Sequence, residues 1–418
     1  MSIFRGWLEL GERELANSSR VVALARPAAA PASDAVAFAG GGCAPCRNLE
    51  VGRDDSWPGL HDYLGAVGPY TDITTAPWYD PADPASGEFY GIWVMSAEGF
   101  DAIPVARDIG DAICAGGVAG RHRDTYRTLS FSALLWACTH RGAQYGLRWL
   151  NCLLRTARTP QTLRYLSAHP EAGTADRLER ALRRVVLTSG AVVREVAGRP
   201  IADHQQASMY RVEWELAALD PYEWTATTSS AVTWDSTVVA GIEWAHAPDC
   251  VDTSSCALPE LLSVECPPQV IDTRPAPTPV CGGCLPVCEI ETRTWQMDLT
   301  DPTDCEVIAT SIQVSAGADP VTVQLWWRPC GSTSDCDITG QLQITGLPAG
   351  QTVVADSLDR RAYAVIDGQR VRQRGIVGTP SGAPWRATLL TPGCWELVAQ
   401  SAPGLDYTVT VSTTGRTA

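Results

Sequence analysis

Between Cys250 and Cys288 the chain interleaves Cys250, Cys256, Cys266, Cys281, Cys284 and Cys288 with Pro259, Pro267, Pro268, Pro275, Pro277 and Pro279, and shows almost no amphipathic period. A stretch without apolar periodicity cannot contribute a face to a packed core, and closely spaced proline holds the backbone extended and semi-rigid. This feature constrains the fold most, because it divides the chain. Residues 241–290 read as a linker between a body over 1–240 and a second over 291–418. At 418 residues the chain is too long for one ordinary domain, so the division agrees with its length.

The two bodies are written differently. After Trp295 nearly every segment is strand-like: 305–314, 321–327, 341–344, 352–355, 362–366, 386–390, 394–399 and 407–411, separated by turns rich in Gly, Pro, Asp and Ser. Short strands at that spacing without a helix predict an antiparallel β-sandwich, jelly-roll or galectin-like by analogy of fold alone. The first body mixes periods. Trp7–Leu10 and Arg20–Leu24 are apolar runs flanking a polar middle, which predicts an N-terminal edge hairpin. A helical block is expected over 131–184. In it Leu147, Leu150 and Leu154 share one helical face, followed by shorter helical patterns over 160–168 and 175–184. A hairpin turning at Ser189-Gly190 and a long alternating strand from Met209 to Ala217 close this body. The expected class is mainly β with a helical block, α+β overall.

Charge and composition exclude several functions. With 32 basic and 47 acidic groups the net charge is −15, which opposes binding to nucleic acid or anionic lipid by counterion release. All basic residues are Arg, which reads as coding-sequence composition and carries no functional message. No run approaches the roughly 20 apolar residues needed to span a bilayer, and no signal peptide is legible, so membrane insertion is not expected. No nucleophile elbow, His-Glu-x-x-His, Walker loop or dinucleotide fingerprint occurs, and the six histidines lack partners at informative spacing. The expectation is a protein that is not an enzyme and holds no cofactor. The acidic loop from Asp80 and Asp83 to Glu88 combines carboxylates with aromatics, as sugar clefts do, but reads better as surface or subunit contact.

The opening Trp7-Leu8-Glu9-Leu10-Gly11, continuing to Glu14-Leu15-Ala16-Asn17-Ser18-Ser19-Arg20, resembles that of distal and minor tail proteins of long-tailed phages (siphoviruses) infecting actinobacteria. The Tyr145-Gly146-Leu147-Arg148-Trp149-Leu150 block and the close at Asp220-Pro221-Tyr222-Glu223-Trp224 are similar to parts of the same family. The resemblance implies that residues 1–240 form a ring, usually six-fold, joining the tail tube to the tail tip. It implies partners in further copies of the chain, the tail tube protein, the tape-measure protein and the tip protein. It implies a virion component, assembled in the host cytoplasm. The alternative is a glycan-binding module, in which the C-terminal sandwich contacts host cell-wall sugars.

Fifteen cysteines are many for a protein made in a reducing compartment, and a particle later released into an oxidising medium reconciles the two. Cys281, Cys284 and Cys288 have spacing that zinc could use, without a clean second pair; disulfides or free thiols are the preferred reading. Cys43 and Cys46 are a further disulfide candidate. In the sandwich, Cys330 with Cys336 and Cys305 with Cys394 is one of three possible pairings. Cys138 and Cys152 read as core residues on helical apolar faces. The adjacent Trp326 and Trp327 must face opposite ways on a strand, which offers one of them, with Trp385 nearby, as a contact for glycan or another subunit.

Overall fold

A computed structural model describes residues 3–25, 36–37, 50–51, 55–111, 115–196, 208–241, 289–299, 307–332, 338–366, 368–372, 375–380 and 382–417. The chain folds as two compact units, Met1–Ala226 and Thr227–Thr417. Most of the expected linker lies outside the described residues. Its flanks belong to the second unit, where Ser236–Gly241 pairs antiparallel in full register with Glu289–Thr294. The first body therefore ends about fourteen residues before the expected position 240, where backbone pairing changes partners.

The first unit is built on an antiparallel sheet whose strands are β1 (Phe4–Leu10), β2 (Arg13–Asn17), β3 (Phe89–Glu98), β4 (Arg127–Ala137), β5 (Gln161–Leu166), β6 (Glu179–Val196) and β7 (Met209–Ala218). Their order is β2–β1–β5–β6–β7–β4–β3. Leu15 and Ala16 at one end of this order share a hydrophobic core with Phe89, Ile92 and Val94 at the other, so the sheet is curled around its interior. Alternation makes the strands. Leu129, Phe131, Ala133 and Leu135 of β4 are buried, as are Tyr210, Val212, Trp214 and Leu216 of β7. Phe131 and Trp214 are direct cross-strand partners and stack at 5.2 Å with planes 9° apart.

The N-terminal hairpin is real but closes earlier than its apolar runs imply. Gly11 and Glu12 both take positive φ, 56° and 65°, between the paired Leu10 and Arg13, the two-residue turn that matches strand twist. Asn17 then accepts from the Arg20 amide at 2.9 Å and so caps the helix α1 (Ser18–Ala25). Arg20–Leu24, expected as a strand, is therefore helical. Within 131–184 the one long helix is α2 (His140–Leu154), capped by Thr139 Oγ1 accepting from the Gly142 amide at 3.0 Å. The expected helix over 160–168 is β5, since Leu163 and Tyr165 alternate into the core, and most of 175–184 is the start of β6. The hairpin at Ser189-Gly190 is instead a continuous strand, with register shifts against β7 absorbing the extra residues.

α2 packs unusually close. A Cβ at Gly146 would lie 2.3 Å from Phe89 Cε2, and one at Gly142 2.6 Å from the Glu88 carbonyl oxygen. Phe89 in turn meets Trp78 at 5.1 Å and Trp149 at 6.2 Å. The closing motif forms β8 (Glu223–Thr225), antiparallel to β6, and has a further structural use. Glu223 Oε1 accepts from Arg127 Nη1 at 2.7 Å, and Arg127, with a side chain only 1% exposed, also donates to the Phe100 carbonyl at 3.2 Å.

The second unit has two antiparallel sheets. In one, β9 (Thr228–Ala231), β21 (Tyr407–Thr417), β12 (Val307–Ala316), β15 (Thr352–Asp356), β16 (Arg361–Ile366) and β17 (Gln369–Val371) follow in that order. β19 (Thr388–Leu390) also pairs with β12. In the other the order is β10 (Ser236–Gly241), β11 (Glu289–Asp298), β20 (Cys394–Ser401), β13 (Val321–Pro329), β14 (Thr339–Leu347) and β18 (Val377–Gly378). Ile312, Val314, Val409 and Val411 from the first sheet and Val323, Leu325, Trp327, Leu342 and Leu397 from the second make one core. Within the described residues the sequence-predicted strands of this unit are present, joined by β9, β10, most of β11, β17 and β18, which that reading omits.

One charged cluster holds the turn before β21. Glu291 accepts from the Gly404 amide at 2.9 Å and from Arg293 Nε, while Arg293 Nη2 donates to the Leu405 carbonyl at 3.0 Å and its guanidinium lies 4.7 Å from the Tyr407 ring centre. The Gly404 amide, and after it Arg293, hold the Glu291 carboxyl below the usual range against the opposing effect of burial.

Two outcomes are expected. Gly146→Ala gains about 1 kcal/mol of helix propensity but forces a methyl against the Phe89 ring at a typical overpacking cost of about 1–3 kcal/mol. A net loss, read as a lower melting temperature in calorimetry, checks the close approach. For Glu291, the stability it contributes is complete above about pH 4.3, where an unfolded Glu is ionised, and is lost as pH falls through its lower folded value. Glu291→Gln should flatten that acid limb of a denaturant-midpoint profile between pH 5 and pH 3.

Candidate functional site

The sequence-predicted site residues do not converge on one centre. Cys281, Cys284, Cys288, Cys43, Cys46, Cys305 and Cys336 lie outside the described residues. Among the described residues no group of three or more His, Cys, Asp or Glu is placed to hold a metal ion. Cys330 and Cys394 form a disulfide with a Cα–Cα distance of 5.4 Å. This replaces the expected Cys330–Cys336 and Cys305–Cys394 pairing. The register explains it: β13 and β20 are neighbours with Pro329 opposite Trp395, so Cys330, just past the end of β13, meets Cys394, the first residue of β20. Cys138 and Cys152 are also corrected. Cys138 follows a strand and is disulfide-bonded, and Cys152 is a free, exposed thiol on α2, on the helix side away from Leu150, Leu153 and Leu154.

The tryptophan pair is not an open platform. Trp327 is fully buried between the sheets, and Trp326, on the opposite strand face, is only 8% exposed. Alternation dictates that the two point opposite ways, but it does not dictate that the second face is bare. Trp385 is half-buried and lines a cleft described below. The acidic loop is structural: Asp80 accepts from the Ala82 amide at 2.9 Å, Asp83 from the Ala85 amide at 3.0 Å, and Glu88 from Thr139 Oγ1 at 2.5 Å.

Three surfaces remain. In the first unit a recess of about 530 Å³ gathers Glu9, Glu14, Glu179, Arg20 and Arg164. Both of its arginines are paired: Arg164 bridges Glu9 at 2.9 Å and Glu179 at 2.6 Å, and Arg20 meets Glu14 at 2.9 Å. The Tyr63 hydroxyl also donates to Glu179; burial, and next that hydrogen bond, raise the Tyr63 pKa.

The second surface is an arm between β3 and β4. Val105–Ala106 pairs with Arg123–Asp124, and beyond it Ile109–Asp111 pairs with Gly117–Ala119. Val105, Ile109, Val118 and Tyr126 are 57%, 77%, 62% and 60% exposed. The arm is tied at its root, where Tyr222 of the closing motif donates to Asp124 Oδ2 at 2.5 Å and Thr125 hydrogen-bonds the Pro104 carbonyl.

The third surface is a cleft of about 1010 Å³ in the second unit, between the β15–β17 end of one sheet and the β14–β18 edge of the other. Arg360, Arg361, Arg370 and Arg372 line it with Tyr363 and Trp385. No cysteine, histidine or acidic motif marked this site. The signal available was the recurrence of Arg at 360, 361, 370 and 372 in an acidic chain.

No family model matches the chain, and no curated protein matches it. Among solved structures it is similar to the SPP1 Dit protein, whose description presents it as a paradigm of the hub adsorption apparatus in phages infecting Gram-positive bacteria. That likeness has a TM-score of 0.39 and 10% identity over 80% of this chain and 96% of that one. It is also similar to a chain of the phage P2 baseplate in its activated conformation with calcium, with a TM-score of 0.40 and 9% identity over 77% and 90%. The strontium form of that baseplate gives a TM-score of 0.39 and 9% identity over the same shares.

Cross-linking through Cys330 and Cys394 closes a loop 64 residues in sequence, for which chain entropy gives about 4 kcal/mol. The double variant Cys330→Ser/Cys394→Ser is expected to lower the unfolding midpoint of the second unit, read by a tryptophan-fluorescence urea titration, and to leave the first unit's transition in place.

Proposed function

We propose that the chain is a structural subunit of a phage tail tip, of the distal-tail type, whose first unit assembles with further copies into a ring. The observation that carries this reading is the arm. A lone two-stranded ribbon is at best marginally stable in water, and this one exposes Val105, Ile109, Val118 and Tyr126 with no core of its own. Seating it on a neighbouring copy buries those side chains and covers the ribbon edges, and a closed ring repeats the same contact until no edge is left.

The opening and closing motifs support the same reading. In this chain they make the N-terminal hairpin, its helix cap and the buried Arg127–Glu223 pair, all scaffold features. A scaffold of this kind would meet the tail tube, the tape-measure protein and the tip protein through the ring. It would carry the second unit, a two-sheet domain of the jelly-roll or galectin-like kind, as an appendage.

Negative-stain electron microscopy with two-dimensional classification tests the assembly directly. Closed rings, six-fold by the family resemblance, are expected from the purified chain. Ile109→Asp/Val118→Asp, which alters only exposed positions, should shift the mass measured by light scattering to that of the monomer while leaving the melting temperature of the monomer unchanged. Rings that survive this double substitution would remove the arm from the assembly.

A further inference from the structure

The cleft of the second unit concentrates cationic charge in a chain whose net charge is −15. Strand geometry builds it. Arg361 and Tyr363 project to one face of β16 by alternation, and Arg370, opposite Val365 on β17, joins their row. Arg370 lies 4.8 Å from the centre of the Tyr363 ring and 3.9 Å from Asp359. Arg360 sits in the turn before β16 with φ at 52°, a left-handed conformation uncommon for a side chain of this size. Arg360, Arg361 and Arg372 have no carboxylate within ion-pair distance among the described residues.

Folding gains nothing from this placement. Like charges gathered along one cleft repel, and among the described residues no carboxylate pairs with these three. The remaining wall mixes polar side chains with apolar ones, and Asp359 is its one carboxylate. Gln343 and Thr345 of β14 line the opposite side, and the half-buried Trp385 forms an apolar panel beside them. Guanidinium forks recognise phosphate and carboxylate, amide and hydroxyl groups recognise hydroxyls, and an indole face packs on a sugar ring.

We propose that this cleft binds an acidic glycan, a saccharide or polyol chain carrying phosphate or carboxylate groups, with Arg361 and Arg372 holding the anions and Trp385 packing on a ring. The site goes beyond the tail-assembly reading and does not depend on it. Single-stranded nucleic acid fits less well. Such sites stack successive bases on open aromatic faces along a basic groove. Here Arg370 lies over the Tyr363 ring, leaving Trp385 as the other aromatic side chain of the cleft.

Isothermal titration of the full chain with poly(glycerol phosphate), polygalacturonate, dextran and oligo(dT) tests the assignment. Binding of one or both acidic polymers is expected, weakening as salt is raised, with dextran silent; the polymer that binds tells phosphate from carboxylate. Arg361→Gln/Arg372→Gln should weaken binding about tenfold or more, as loss of charge-assisted hydrogen bonds does. Arg372→Lys, which keeps the charge and loses the fork, should recover only part of it. Both variants change exposed side chains, and an unaltered melting temperature confirms that each is folded. No binding of either acidic polymer above dextran, variants that bind like the parent chain, or oligo(dT) binding more tightly than both polymers would each overturn the proposal.

Discussion

Unpaired strand edges are the constraint on which this protein's architecture turns. Each unit is built on strands, and every strand exposes a row of amide and carbonyl groups that must find partners or water. The first unit meets this by curling, so that β2 and β3, the ends of its strand order, lean on one core. The second buries the faces of its two sheets around Trp327 and the aliphatic side chains that surround it, and ends each sheet on a short edge strand, β17 of three residues and β18 of two. The arm between β3 and β4 has neither solution within its own unit. Its exposed apolar side chains follow from the same constraint, and for that reason the arm is the part of the chain that points to a partner.

Close packing and buried charge then make each unit specific. α2 approaches β3 closely enough that only hydrogen fits at Gly142 and Gly146, and Phe89, Trp78 and Trp149 interlock around that approach. Arg127 is buried almost completely, and a buried guanidinium is tolerated only when matched. Glu223 and the Phe100 carbonyl form that match, and burial, then Glu223, raise the pKa of Tyr165. The closing motif thus couples the end of the first unit to the start of β4 and, through Tyr222, to the root of the arm.

The parts of this arrangement that were legible in the sequence were those with strong local periodicity. Met209–Ala218 and the strands after Trp295 alternate cleanly, and alternation over several residues has no other compact solution. The helical block was misread because its apolar residues satisfy both periods. Leu163, Tyr165 and Leu166 suit a helix face as well as a strand, and pairing with Phe4 to Leu10 decided for the strand. Arg20–Leu24 went the other way, because Asn17 turned out to be a helix cap and not a turn residue. The candidate site was read from the residue types that usually carry chemistry, cysteine and tryptophan. The cleft instead depends on arginines whose significance appears only when β16 and β17 bring them together.

By itself, the sequence determined that this is a two-part, β-rich chain, acidic in net charge, with a Cys- and Pro-rich division and strands of defined alternation. These properties are set by composition and by periods of two residues, which are local. Tertiary structure alone decided which cysteine met Cys394, which face of Trp326 was covered, where the first unit ended, and that four arginines of an acidic chain would line one cleft. Each of these depends on which strands become neighbours, and strand pairing joins residues far apart in sequence through backbone groups that every residue carries alike.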